Sequence, residues 1–252
     1  VNTPHIDINC DLGEGKSVAD CERDATMMPF ISRCNIACGG HAGNNTTMRL
    51  SVGHAKRNRL AIGAHPGYPD RENFGRISLA MERTALLASI REQIRALAGI
   101  AAEQQIELTH IKLHGALYND AEADTQLAED LVALIVREFP SLQILGLANA
   151  AMERAAQKFR QPFLREGFMD RRYLNDHQLS PRTQPGALID DFDQCLDQVM
   201  ALIHGSPFRS IDDELLLFHV DSICLHGDTP GAHSIARNLH QHLQLSGIQI
   251  RA

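Results

Sequence analysis

The sequence predicts an α/β fold: a closed barrel of seven parallel strands, each followed by a helix. Three observations carry that prediction. Short apolar runs alternate with amphipathic stretches about seven times along the 252 residues, the rhythm of parallel βα units. The runs are nearly continuous in apolar residues, as in strands buried on both faces. Polar residues close almost every run, as loops converging on one barrel mouth require. An open doubly wound sheet would gather them at one switch point instead.

The first run, Ile6–Cys10, leads into Asp11 and Glu14. Residues two apart on a strand share a face, so Asp7, Asn9 and Asp11 point the same way. Carboxylates inside a strand are costly unless paired. They are therefore acid–base groups in a cleft, or members of a buried network with lysine or arginine from a neighbouring strand. Cys34–Ala37 ends in the glycines before His41, and a helix is expected from about Thr46 to Asn58. Leu60–Ala64 ends at His65, with Tyr68, Asp70, Asn73 and Arg76 close behind. Leu86, Ile90, Ile94, Leu97 and Ala101 form one stripe of an amphipathic helix. Thr109–Leu113 carries His110 and Lys112, with His114 two residues on; their alternation gives them one face. Tyr118 and Asn119 follow.

Leu127, Leu131 and Ile135 repeat the helical stripe, with Asp124 as N-cap. Leu142–Leu147 precedes a helix from Asn149 to Phe159. Phe163–Leu164 precedes Glu166, Asp170, Arg171 and Tyr173. The proline-, asparagine- and aspartate-rich stretch from Tyr173 to Leu188, containing Arg182, reads as an ordered loop folded over the site. A helix from Asp190 to His204 precedes a hairpin over Arg209–Val220 that turns at Asp212–Asp213. Ser222–Leu225 ends at His226 and Asp228, before a helix from Pro230 to Leu245. With no linker and no repeat, one domain over residues 1–252 is the simplest organisation.

Net charge is -7, which argues against nucleic acid, since phosphate contacts need a basic face. No apolar run approaches the roughly 20 residues of a membrane span. The opening VNTPHIDINCD lacks the basic and apolar regions of a secretory signal. The six cysteines make no C-x-x-C pair, the usage of reduced cytoplasmic thiols. The sequons at Asn44 and Asn45 carry little weight in that compartment.

Several histidines near one rim, together with Asp11, admit a metal site, because zinc takes histidine and aspartate in any chain order. No H-x-x-x-H spacing demands one, and metal-free acid–base use is favoured. Arg171 or Arg182 suits a substrate carboxylate. Gly15-Lys16-Ser17 matches the end of a P-loop, but the pattern needs glycine where Cys10 stands, so a phosphate site is not expected there.

Taken in order, DINCDLGE, NIACGGHAG, IGAHPGYPD with FGR after it, IKLHGALYN, EGFMDRRY, PGALI and CLHGDTPGA resemble the LamB/YcsF family of bacterial 5-oxoprolinase A subunits. The resemblance runs from Ile6 to about Ala232. Asn44 departs from the family's frequent aspartate, Leu113 from its frequent proline, and Asn175-Asp176-His177 from its usual aspartate–glycine turn. The resemblance implies a barrel like those of glycoside hydrolases and polysaccharide deacetylases. It also implies ATP-dependent opening of 5-oxo-L-proline to L-glutamate, with ATP and magnesium used in a complex with B and C subunits. Under it, Asp11 or Glu14 is the general base, His41, His65 and His114 shuttle protons or hold a metal, and Lys112 stabilises the oxyanion. Asn9, Tyr68, Arg76, Tyr118, Asn119, Arg171, Arg182, His226 and Asp228 are the expected substrate-binding residues, and a homo-oligomer is possible. Two rivals stay open. One is a stand-alone metal-dependent deacetylase or amidohydrolase using Asp11, His41 and His65 as ligands; the other is a non-catalytic scaffold.

Overall fold

A computed structural model of the chain describes residues 4–227 and 231–252. Strands β1 (His5–Leu12), β2 (Arg33–Ala37), β3 (Ala61–His65), β4 (His110–Lys112), β5 (Gln143–Leu147) and β6 (Phe163–Phe168) lie side by side in parallel. β7 (Phe208–Arg209) and β8 (Leu215–Leu216) make an antiparallel hairpin apart from them. β9 (Ser222–His226) pairs with both β6 and β1, closing a seven-stranded barrel. The ladder fixes the inner layers: Asp11 lies beside Asn35 and His226, and Ser222 lies beside both Asp7 and Glu166. A short β10 (Gln249–Ile250) adds to the N-terminal end of β1.

Alternation within β1 separates two environments. Ile6, Ile8, Cys10 and Leu12 are buried in the apolar cluster, while Asp7 and Asn9 are equally buried but enter polar contacts with other strands. The helices supply the apolar side: α1 (Val18–Ala25), α2 (Asn45–Arg57), α3 (Arg83–Glu103), α4 (Gly115–Ala123), α5 (Thr125–Glu138), α6 (Ala151–Phe159), α7 (Phe192–His204) and α8 (Ala232–Leu245). The expected stripe of α3 is buried, and Asp124 caps α5 by accepting from the backbone N–H groups of Gln126 and Leu127. Asn44 caps α2 by accepting from Thr46 and Thr47. Asparagine and aspartate cap about equally well, so this departure leaves the helix its cap.

The differences from expectation are local. β6 runs four residues past its expected end, because Arg165 and Glu166 interrupt the apolar run without interrupting the strand. α1, α4 and β10 are additions to the expected elements. α6 starts at Ala151 rather than Asn149, whose φ of 64° is not helical. The long loop is ordered by bridges from Arg171 to Leu188 and from Tyr173 to Leu179. All six cysteines are buried and free, and no helix among the described residues is long and apolar enough to cross a membrane.

Candidate active site

A polar column fills the barrel from its lower end to its mouth. Low in the barrel, Arg33 pairs with Asp7 at 2.7 Å and donates to His110 Nδ1 at 3.0 Å. Arginine can only donate, so His110 donates through Nε2, at 2.7 Å, to Asn35 Oδ1. Burial, with the charges of Arg33 and Lys112, holds the His110 pKa well below its usual value. Gly63 makes room for that ring: a Cβ there would lie 2.3 Å from it. The Asn35 amide donates upward to Asn9 at 2.9 Å and to Asp11 at 2.8 Å. Asp7 is thus the buried network member and Asp11 the group at the mouth.

Lys112 sits at the top of the column. Its ammonium pairs with Glu166 Oε1 at 2.7 Å and with Asp11 Oδ1 at 3.0 Å, and donates to Asn9 Oδ1 at 3.2 Å. Tyr118 donates to the other Glu166 oxygen at 2.8 Å. Burial opposes the charge on Lys112, but Asp11, Cys224 and Glu166 outweigh it and raise its pKa well above the usual range. Burial likewise opposes ionisation of Asp11, yet His65 and Lys112 hold its carboxyl well below normal. The pair is therefore charged at neutral pH.

Beside Asp11, four side chains meet at one wall. Glu14 Oε1 lies 2.9 Å from His41 Nε2, 3.2 Å from His114 Nδ1 and 3.8 Å from His65 Nε2. His65 Nδ1 donates to the Lys112 carbonyl at 2.9 Å, and His114 Nε2 donates to the Phe74 carbonyl at 2.8 Å. Gly75, at φ 61°, lets the Phe74–Arg76 turn pass close to both rings; a Cβ there would be 2.8 Å from His41 Cβ. Burial opposes ionisation of Glu14, but hydrogen bonds from His114 and His41 hold its pKa far below normal. Burial pushes His41 down to about 4, despite its bond to Glu14.

Above this floor is a cavity of about 420 Å³ lined by Asp11, Glu14, His65, Arg76, Lys112, His114, Tyr118, Asn119, Arg171, Arg182 and His226, among others. Leu179, Pro181 and Thr183 line it from the long loop, which therefore does fold over the site. Arg171 is buried; it donates to the Ser180 carbonyl at 2.6 Å, and its Nε has no hydrogen-bond partner. Burial, together with Arg182, lowers its pKa to about 10. His226 Nδ1 donates to Asp170 at 2.9 Å, which orients the ring.

Not every expected residue reaches the mouth. Tyr68 lies in the core, its hydroxyl donating to Asp120 at 2.8 Å, and it lines a separate outer groove. Asn9 lies one layer below the cavity, its amide donating to Ser222 Oγ at 2.8 Å. His41 lies behind His114, the rings stacked 3.4 Å apart. Asp228 falls outside the described residues. Two residues named after β6 but given no site role are partners here: Glu166, which pairs with Lys112, and Asp170, which accepts from His226. The Gly-Lys-Ser segment is closed to phosphate, because Asp20 accepts from the backbone N–H groups of Lys16 at 3.0 Å and Ser17 at 2.9 Å. Ser17 serves instead as the N-cap of α1.

Known proteins share this chain's sequence and fold over nearly their whole length. The 5-oxoprolinase A subunit of Chloroflexus aggregans is 40% identical over 246 residues, covering 98% of each chain. That of Erwinia tasmaniensis is 42% identical over 246 residues, covering 97% of this chain and 98% of that one. The crystal structure of a lactam utilization protein from Thermus thermophilus superposes with a TM-score of 0.91 at 31% identity, covering 98% of this chain and 99% of that one. The LamB/YcsF family model matches residues 6–252, and the chain belongs to the LamB/YcsF family.

Proposed function

We propose that this chain is the A subunit of an ATP-dependent 5-oxoprolinase, a hydrolase that opens the cyclic amide of 5-oxo-L-proline to L-glutamate in the cytoplasm. The observation that carries the reading is the convergence of Asp11, Lys112 and Arg171 around one small mouth, in a chain 42% identical to a 5-oxoprolinase A subunit. A five-membered lactam is a resonance-stabilised amide, so water attacks it slowly. Phosphorylation of its oxygen converts it to a reactive imidate. The closed Gly-Lys-Ser segment supports assigning the use of ATP and magnesium to B and C partner subunits.

In this reading Arg171, helped by Arg182, holds the substrate carboxylate. The Lys112 ammonium faces the oxygen on which negative charge develops, a contribution of several kcal/mol in a dry site. Asp11 is the better general base, since Glu14 is committed to the histidines; it takes the proton of the attacking water. His65 and His114 on the adjoining wall relay that proton or hold a metal. Arg76, Tyr118, Asn119 and His226 border the ring, and residues 1–252 act as one domain.

The test is ATP-dependent glutamate formation by purified A, B and C subunits with Asp11→Ala and His65→Ala variants. Both should lose most activity while the complex still assembles. Full activity in either variant rejects the assignment, and lactam or acetyl hydrolysis by this chain without partners or ATP would favour the stand-alone hydrolase.

A further inference from the structure

We propose that Glu14, His65 and His114 form a three-ligand site for a divalent cation of the zinc class, with its fourth position open to the barrel mouth beside Asp11.

Hydrogen placement fixes where the lone pairs point. His65 spends its Nδ1–H on the Lys112 carbonyl, and His114 spends its Nε2–H on the Phe74 carbonyl. In the neutral form that a metal requires, each ring presents a bare nitrogen to the other, His65 Nε2 and His114 Nδ1, 3.0 Å apart. Glu14 Oε1 completes a triangle with them at 3.2 and 3.8 Å. Three electron-pair donors so close repel one another unless a proton or a cation lies among them, and the size of the triangle separates the two. Bonds of about 2.0–2.1 Å in a tetrahedral zinc site put the donor atoms roughly 3.3–3.4 Å apart, close to the size of this triangle. Backbone carbonyls that take the far N–H of each ring are the usual outer shell of a metal-bound imidazole, because they fix its tautomer and direction.

The same geometry excludes one histidine. The rings of His41 and His114 lie 6° from parallel with centroids 3.4 Å apart, so both cannot aim an in-plane lone pair at one ion. His41 donates to Glu14 instead, at 2.9 Å, and acts as its positioning partner. The set Asp11, His41 and His65, the ligands under the stand-alone hydrolase reading, gives way to this one in the proposal. Asp11 keeps Oδ2 at 3.5 Å from His65 Nε2, placed to take the fourth position or to bond a water there. All three proposed ligands line the mouth cavity, so the ion would be reachable from solvent. Two imidazoles and one carboxylate select zinc, cobalt and similar ions over magnesium or calcium, which prefer oxygen alone.

The probe is cobalt(II), added to the full chain after chelation, with no lactam, nucleotide or partner present. Saturable binding of about one equivalent, with visible absorption of a four- or five-coordinate ion displaced by zinc, is expected from the coordination preference. His65→Gln and His114→Gln should abolish that spectrum. His41→Gln should weaken binding about 10- to 100-fold, as loss of an outer-shell partner does. Circular dichroism shows whether each variant is folded. If folded His65→Gln and His114→Gln bind cobalt like the wild type, the proposal is overturned. If those variants unfold, the wild-type titration decides alone: failure to saturate at millimolar cobalt would overturn the proposal and assign the cluster to a shared proton. Either result leaves the 5-oxoprolinase reading standing, because that reaction is assayed separately.

Discussion

Replacing Lys112 by methionine removes the cation held between the buried Glu166 and the part-buried Asp11. The substitution keeps roughly the same volume, so its effect is mainly electrostatic. Among the described residues, Asp11 would retain Asn35 at 2.8 Å and His65 at 3.5 Å, and the Glu166 side chain would retain Tyr118 at 2.8 Å. Removing one partner of a buried ion pair costs about 3–5 kcal/mol. In a chain of this size each kcal/mol moves the melting temperature about 2–4 °C, so Lys112→Met should melt roughly 6–20 °C lower at pH 8. The sign of the pH dependence is fixed by the carboxylates. In the wild type Asp11 has a lowered pKa, so its contribution is present above about pH 4 and is lost as pH falls through the folded value. In the variant Asp11 loses one of the groups that lower its pKa, so its protonation relieves part of the penalty and the deficit shrinks toward pH 5. Thermal melts at pH 8 and pH 5 read both quantities. A variant melting within about 2 °C of wild type at pH 8, or a deficit undiminished at pH 5, would refute the account. If Lys112 also faces the developing oxyanion, the reconstituted complex should lose about 10²–10³ in kcat.

Gly63→Ala places a methyl 2.3 Å from the His110 ring and should cost about 1–3 kcal/mol in urea unfolding; a neutral effect would mean the ring moves freely. Tyr68→Phe loses only a hydroxyl bond to Asp120 outside the mouth, so about 0.5–1.5 kcal/mol of stability should go while KM for the lactam stays unchanged. A clear rise in KM would return Tyr68 to the substrate site. His41, buried with a pKa near 4, binds fewer protons folded than unfolded between about pH 4 and 6.5, so stability should fall by roughly 3 kcal/mol as pH drops through that window. His41→Gln, measured in metal-free buffer, should flatten that slope, and an unchanged slope would assign it to other groups.

Legibility follows local information. The seven strands are readable because each is an apolar run between helical stripes, and Asp124 is readable as a cap because capping acts within one turn. β6 reads short because an inward charge breaks an apolar run while leaving strand geometry intact. That error sets Glu166 outside the strand and leaves it without a role, although its spacing of two from Phe168 is itself a strand signal. Tyr68 and Asn9 look like mouth residues because both stand near strand ends. Height along the barrel axis is set by register, and register puts one off the mouth and the other below it. His41 looks equivalent to His65 and His114, yet ring stacking sets it behind them.

The sequence by itself determined the barrel, the end at which polar groups gather, and the family, because periodicity and segment order are properties of the chain. Only the tertiary structure decided which charges neutralise each other. Asp7 pairs with Arg33 while Asp11 pairs with Lys112, although both aspartates share one strand face. Strand stagger fixes those distances, and at buried separations near 3 Å a shift of one residue changes a charge's partner. The same stagger turns scattered histidines into a triangle of lone pairs, which no spacing in the sequence records.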